Sequence, residues 1–116
     1  MDILWSDPTD SDLERGIQPN IIRDPNGTGN IVKFGPDRVH QFLENNGANF
    51  ILRAHECVMD GIERFAAGKL FTVFSATDYC GRHKNAGAML MITKNFEIVP
   101  KMIYPISTAA DQHNWL

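Results

Sequence analysis

Short apolar runs alternate along the chain with polar stretches broken by glycine and proline. Met1 to Trp5 is apolar and predicts a strand that begins at the first residue, as in a segment cut from something longer. From Asp7 to Asn30 no period survives. Asp7-Pro8, Gln18-Pro19-Asn20, Asp24-Pro25-Asn26-Gly27 and Gly29 interrupt it, which predicts one long loop. Ile31 to Phe34 predicts a short strand. Gly35-Pro36-Asp37 then opens a helix, with proline at the first helical position and an acid in the first turn. Val39, Phe42 and Leu43 fall at i, i+3 and i+4 and are expected to face a core, and Asn45-Asn46-Gly47 ends the helix.

Phe50 to Arg53 predicts a buried strand that stops abruptly at polar residues. Gly61 to Ser75 fits helix or strand. The turn-forming Ala67-Gly68, followed by Leu70-Phe71-Thr72-Val73-Phe74, favours a hairpin. A polar loop from Ala76 to Gly87 follows. Ala88 to Ile92 and Phe96 to Tyr104 predict a second hairpin turning at Thr93-Lys94-Asn95. The pattern describes one mixed α/β, strand-rich domain over residues 1–105 and a polar tail over residues 106–116.

Composition narrows the function classes. A chain of 116 residues accommodates one small domain, and its net charge of -3 argues against a general nucleic-acid-binding role. No apolar run approaches the roughly 18 residues of a membrane span, and no secretory leader pattern precedes Trp5. Cys57 and Cys80 lack the CxxC spacing. Two thiols in such a chain suggest a reducing compartment, cytoplasmic or nuclear.

The strand ending in Arg53-Ala54-His55-Glu56-Cys57 draws the chemistry, because the carboxyl end of a buried strand fixes backbone while the following loop stays open. His55-Glu56 begins like a zinc-protease HExxH, but Met59 occupies the position where its second histidine would fall. Cys57 near His55 lacks a third orienting group for thiol catalysis. The glycines of Asn26-Gly27-Thr28-Gly29 do not follow a strand in a βαβ unit, so a nucleotide fingerprint is unsupported. His40, His55, His83 and His113 share no ligand spacing, and a protein metal site needs at least three ligands. His55 is the one candidate left, as a hydrogen-bonded histidine or as a metal ligand or acid-base group.

Several motifs then recur in a familiar order. Trp5-Ser6-Asp7-Pro8, Phe34-Gly35-Pro36-Asp37, Arg53-Ala54-His55, Asp60-Gly61, Phe74-Ser75-Ala76, Tyr79-Cys80-Gly81 and Asn85-Ala86-Gly87-Ala88 together resemble the carboxyl-terminal part of the PPP-type serine/threonine protein phosphatases. The run Arg53 to Gly61, with Phe34 to Val39 and Val99-Pro100-Lys101, is most similar to the Kelch-repeat-containing (BSU-like) members.

The resemblance implies the carboxyl-terminal portion of a calcineurin-like metallophosphoesterase β-sandwich flanked by helices. It implies two divalent metal ions, manganese first and iron or zinc next, bridged by a hydroxide that attacks phosphorus directly. His55 matches a metal-ligating histidine, Tyr79 the cleft tyrosine beside the phosphate, and Cys80 a cleft cysteine that inhibitors contact. Asp7 matches an acid near the catalytic centre, with a loop-capping aspartate as the other reading. For the phosphate-binding arginine the resemblance offers Arg23, placed as in the Kelch-type enzymes, or Arg15, placed as in type 1 enzymes; Arg23 is preferred. Arg82, His83 and Lys84 make the cleft loop basic, where type 1 enzymes carry an acid and an aromatic.

Phosphoserine and phosphothreonine proteins are the implied substrates, with regulatory proteins as further partners and neither nucleic acid nor membrane among them. The amino-terminal metal and catalytic motifs of the family are not in this sequence. That predicts a partial catalytic domain, inactive alone, or else a non-catalytic phosphatase-like binding module.

Overall fold

The computed structural model describes residues 2–106, and its first strand is set by a buried acid. Asp7–Pro8 (β1) pairs in parallel with Val32–Phe34 (β3), which also takes Ile17–Pro19 (β2) antiparallel, in the order β1-β3-β2. Two short strands therefore lie within the stretch predicted as one loop. Both are only two or three residues long, too short for any period to show. The predicted strand at the amino terminus is corrected as well: Asp2–Trp5 is one helical turn (α1). Ser6 closes that turn, its N–H donating to the Asp2 carbonyl at 3.0 Å and its hydroxyl to the Asp2 carboxylate at 2.7 Å.

The helix Pro36–Asn46 (α2) begins and ends as its sequence dictates. Gly35 is the N-cap, Pro36 fills the first turn, and Gly47 adopts the left-handed conformation at φ 59°. Gly35 is required for a second reason, since a Cβ there would run into the Glu14–Arg15 backbone. Val39 and Leu43 are buried with Phe65, Ala66 and Leu70, while Phe34 and Ile51 pack against them. Phe42, expected on the same face, is 53% exposed. A second sheet holds Ile51–Arg53 (β4), Leu70–Val73 (β6) and Ile62–Phe65 (β5) in the order β4-β6-β5. The first predicted hairpin is thus present, turning through Ala66 and Ala67 at φ 54°.

The chain divides into two compact units, residues 2–56 with 63–72 and residues 57–62 with 73 onward. The elements described so far lie almost wholly in the first. The second is built on Gly87–Ile92 (β7) and Ile98–Ile103 (β8), antiparallel from Gly87 opposite Ile103 to Ile92 opposite Ile98. Their turn is longer than expected because Phe96 takes φ 62° and belongs to it. In the same unit Gly61 lies against Gly87, and Gly87 against Ser75, so closely that a Cβ at either glycine would collide with main chain. Backbone bonds from Phe74 to Gly61, Ala86 to Met59 and Ala88 to Phe74, each 2.9 Å, stitch these segments together. Among the described residues no helix is long and apolar enough to cross a membrane. The tail predicted over residues 106–116 lies outside the described residues except for Ile106.

Candidate functional site

In the first unit Asp7 is the hub. Strand β1 buries it to 4% exposure, where a carboxylate must find hydrogen-bond donors or stay out of its charged form. It finds them on three segments. Arg53, at the end of β4, donates Nη2 to Oδ1 at 3.1 Å. Arg23 donates Nε to Oδ2 at 3.3 Å, and Asn20 donates Nδ2 to the same oxygen at 2.9 Å. Asn20 is itself 1% exposed and also accepts the Arg23 N–H at 3.1 Å, so it fixes both the carboxylate and the backbone that carries Arg23.

The two arginines differ in what remains free. Arg53 Nη1 donates to Glu56 at 2.8 Å and to Thr72 at 2.9 Å, so its fork is consumed within the protein. Arg23 spends only Nε on Asp7. No hydrogen bond among the described residues uses its two η nitrogens, and its side chain is 28% exposed over the Trp5 ring at 6.0 Å. An end-on guanidinium fork held from behind by a carboxylate is suited to a tetrahedral anion.

His55 stands two residues beyond β4 with φ 89°, a conformation that side chains rarely adopt and that clusters at functional sites. Its ring meets Trp5 edge-on at 5.2 Å, and Nε2 lies 3.9 Å from Asp7 Oδ1. Sequence reasoning singled out Asp7, Arg23 and His55, and the structure brings these together. It missed Asn20, which reads as an ordinary turn residue after Pro19, and the clasp made by Arg53 and Glu56. Arg15 is exposed beside Gly16, whose N–H is tied to Asp37 of α2, and it is not among the groups that bond Asp7 in the described residues.

The donor set does not by itself fit a dinuclear metal centre. Among the described residues no group of three or more His, Cys, Asp or Glu side chains converges to hold an ion. His55 can offer one imidazole, whereas the Asp7 carboxylate is already committed to two guanidiniums. An open apolar hollow of about 370 Å³ in this unit is lined by Ile17, Val32, Phe42 and Ile51 and includes neither Arg23 nor His55.

The second unit carries the remaining candidates on one loop. Tyr79–Gly81 forms a single 3-10 turn, with Cys80 at φ 59°. The Tyr79 ring packs edge-on against Phe74 at 4.9 Å and stacks on His83 at 6.1 Å. Cys80, Arg82 and His83 are exposed, and both cysteines are free thiols.

Comparison with known proteins decides the lineage. The chain is 54% identical over 109 residues to serine/threonine-protein phosphatase BSL2 of Arabidopsis thaliana, matching 94% of its own length. The chain is homologous to part of a serine/threonine-protein phosphatase. A solved protein serine/threonine phosphatase from Saccharomyces cerevisiae, described as similar to human phosphatase PP5, matches 91% of this phosphatase homologue with a TM-score of 0.72 and 28% identity. The homologue spans only 10% of the Arabidopsis protein and 34% of the yeast chain. No family model matches it.

Proposed function

We propose that the chain is the carboxyl-terminal part of a metal-dependent protein serine/threonine phosphatase of the Kelch-repeat type, acting on phosphoserine and phosphothreonine proteins in the cytoplasm or nucleus. The free fork of Arg23, braced through Nε by buried Asp7, is the observation that carries this reading. Two divalent ions, with most of their ligands supplied from outside this chain, would activate water and neutralise phosphoryl charge. His55 is this chain's contribution to their ligands. Arg23 orients the phosphate, and Tyr79 is assigned to phosphate binding by its match to the family's cleft tyrosine. Asp7 acts by holding Arg23, its Oδ2 accepting from Arg23 and Asn20 and its Oδ1 from Arg53.

The test is metal content with steady-state kinetics on the intact enzyme that contains this segment. His55→Ala is expected to lower bound metal and activity together. Arg23→Ala is expected to keep the metal and lose about 2–4 kcal/mol of transition-state stabilisation, as for other preorganised donors. Arg15→Ala is expected to change little. A crippled Arg15→Ala beside a near-normal Arg23→Ala refutes the assignment.

A second reading, a phosphatase-like binding module without turnover, is favoured for the isolated chain by the committed state of Asp7 and the lone imidazole of His55. Under both readings the purified chain with manganese leaves an aryl phosphate intact.

A further inference from the structure

The loop between β6 and β7 is held rigidly for a stretch with so many exposed side chains. Asn85, completely buried, accepts the Tyr79 N–H at 2.8 Å and donates to the carbonyls of Ala76 at 2.7 Å and Ala86 at 2.9 Å. The Asp78 carboxylate accepts the Lys84 N–H at 3.1 Å, and the Asp78 N–H donates to the Asn85 carbonyl at 3.1 Å. These bonds hold Asp78, Cys80 and Lys84 at φ 44°, 59° and 48°, conformations that cost energy without such ties.

At the crest of the loop Arg82, His83 and Lys84 are all exposed. Neither Arg82 nor Lys84 is ion-paired among the described residues; the ion pairs found there use Arg23, Lys33, Arg38, Arg53 and His55. The acid of the loop itself, Asp78, is occupied with backbone. Two free cations on a fixed loop, in a chain of net charge -3, form a local field opposite in sign to the rest of the molecule.

We infer that residues 78–85 are a docking platform for acidic peptide, with Arg82 and Lys84 receiving its carboxylates. The inference rests on the phosphatase reading in that the acidic peptide would belong to a phosphoprotein substrate, and it deepens that reading by naming a substrate class. Nucleic acid is disfavoured because Tyr79, the aromatic residue of this loop, is engaged by His83 and Phe74, so the loop offers no pair of open aromatic faces for base stacking.

The test reads binding, so it does not depend on turnover. Fluorescein-labelled peptides rich in Asp and Glu, their Asn and Gln counterparts, and an oligothymidylate are titrated against the 116-residue chain by anisotropy. The acidic peptide is expected to bind more tightly than its neutral counterpart and to weaken as salt rises. Arg82→Ala with Lys84→Ala should weaken it about three- to tenfold, and Arg82→Glu with Lys84→Glu should abolish the preference. Carbodiimide cross-linking on the unsubstituted chain should join peptide carboxylates to Lys84 ahead of Lys33, Lys69, Lys94 and Lys101, and so needs no variant to fold. Equal affinity for acidic and neutral peptides, an unchanged preference in the charge-reversed variant, cross-links elsewhere, or tighter binding of the oligonucleotide overturns the inference. If the peptide binds as expected while the intact enzyme lacks turnover, the docking surface stands and the phosphatase reading falls.

Discussion

Replacing Asp7 by alanine removes the acceptor on which three segments converge. The loss strands Arg53, whose side chain is 13% exposed, Arg23 at 28%, and the amide of fully buried Asn20. Removing one partner of a buried ion pair costs about 3–5 kcal/mol, because the other charge stays behind undischarged. Arg53 keeps Glu56 and Thr72, and Arg23 can turn to water, so the lower end applies, about 3 kcal/mol. That is a large share of a domain stability of roughly 5–15 kcal/mol. With a urea dependence of about 1.5 kcal/mol per molar, the unfolding midpoint should fall by about 2 M. Trp5, which touches both His55 and Arg23, reports the transition by fluorescence. Asp7→Asn keeps the shape and one acceptor oxygen and should lose about half as much. Asp7→Ala combined with Arg53→Met should cost clearly less than the two changes summed, since each removes the same contact. A midpoint within about 0.5 M of the unsubstituted chain for Asp7→Ala would mean that this cluster is not holding the segments together.

Gly61→Ala should destabilise the second unit severely, because it imposes a side chain on φ 73° and drives a Cβ into the Gly87 main chain; circular dichroism during thermal unfolding reads it. Asp37 accepts the Gly16 N–H at 2.8 Å, and this bond, then its own backbone N–H and the neighbouring Arg38, hold its carboxyl below the usual carboxylate range. A depressed carboxyl contributes stability above its unfolded value, near pH 4, and loses it as pH falls through the folded value. The gap in thermal midpoint between the unsubstituted chain and Asp37→Asn should therefore hold steady above about pH 5 and close in stronger acid. A gap independent of pH would show that the charge on Asp37 does not contribute.

Much of this arrangement was legible in the sequence, for physical reasons that differ from element to element. Helix α2 announced itself because Pro36, Gly47 and the Val39–Leu43 spacing are all local devices. The β7–β8 hairpin was legible from two long apolar runs around a polar turn, whereas the place of Phe96 in that turn was not, because hydrophobicity says nothing of its left-handed backbone. Strands β1 and β2 were invisible because β3, distant in sequence, makes them strands. The turn Asp2–Trp5 was misread because a run of five apolar and acidic residues fits both periods, and the Ser6 to Asp2 closure decides between them. At the site, the resemblance supplied Asp7, Arg23 and His55. The roles of Asn20 and Arg53 depend on which segments meet at a buried carboxylate, and that is a property of the fold alone.

The close passage of Gly61, Gly87 and Ser75 constrains how this sequence can change over generations. Most packing contacts can drift, because volume lost on one side chain is regained on its neighbour. Here the obstacle to a methyl group at either glycine is main chain, which every residue possesses alike. No partner substitution can make room, so neither position can be traded against the other. The pin is mechanical and owes nothing to catalysis. A descendant of this chain in which Arg23 and His55 had both been replaced would still need both glycines in order to fold.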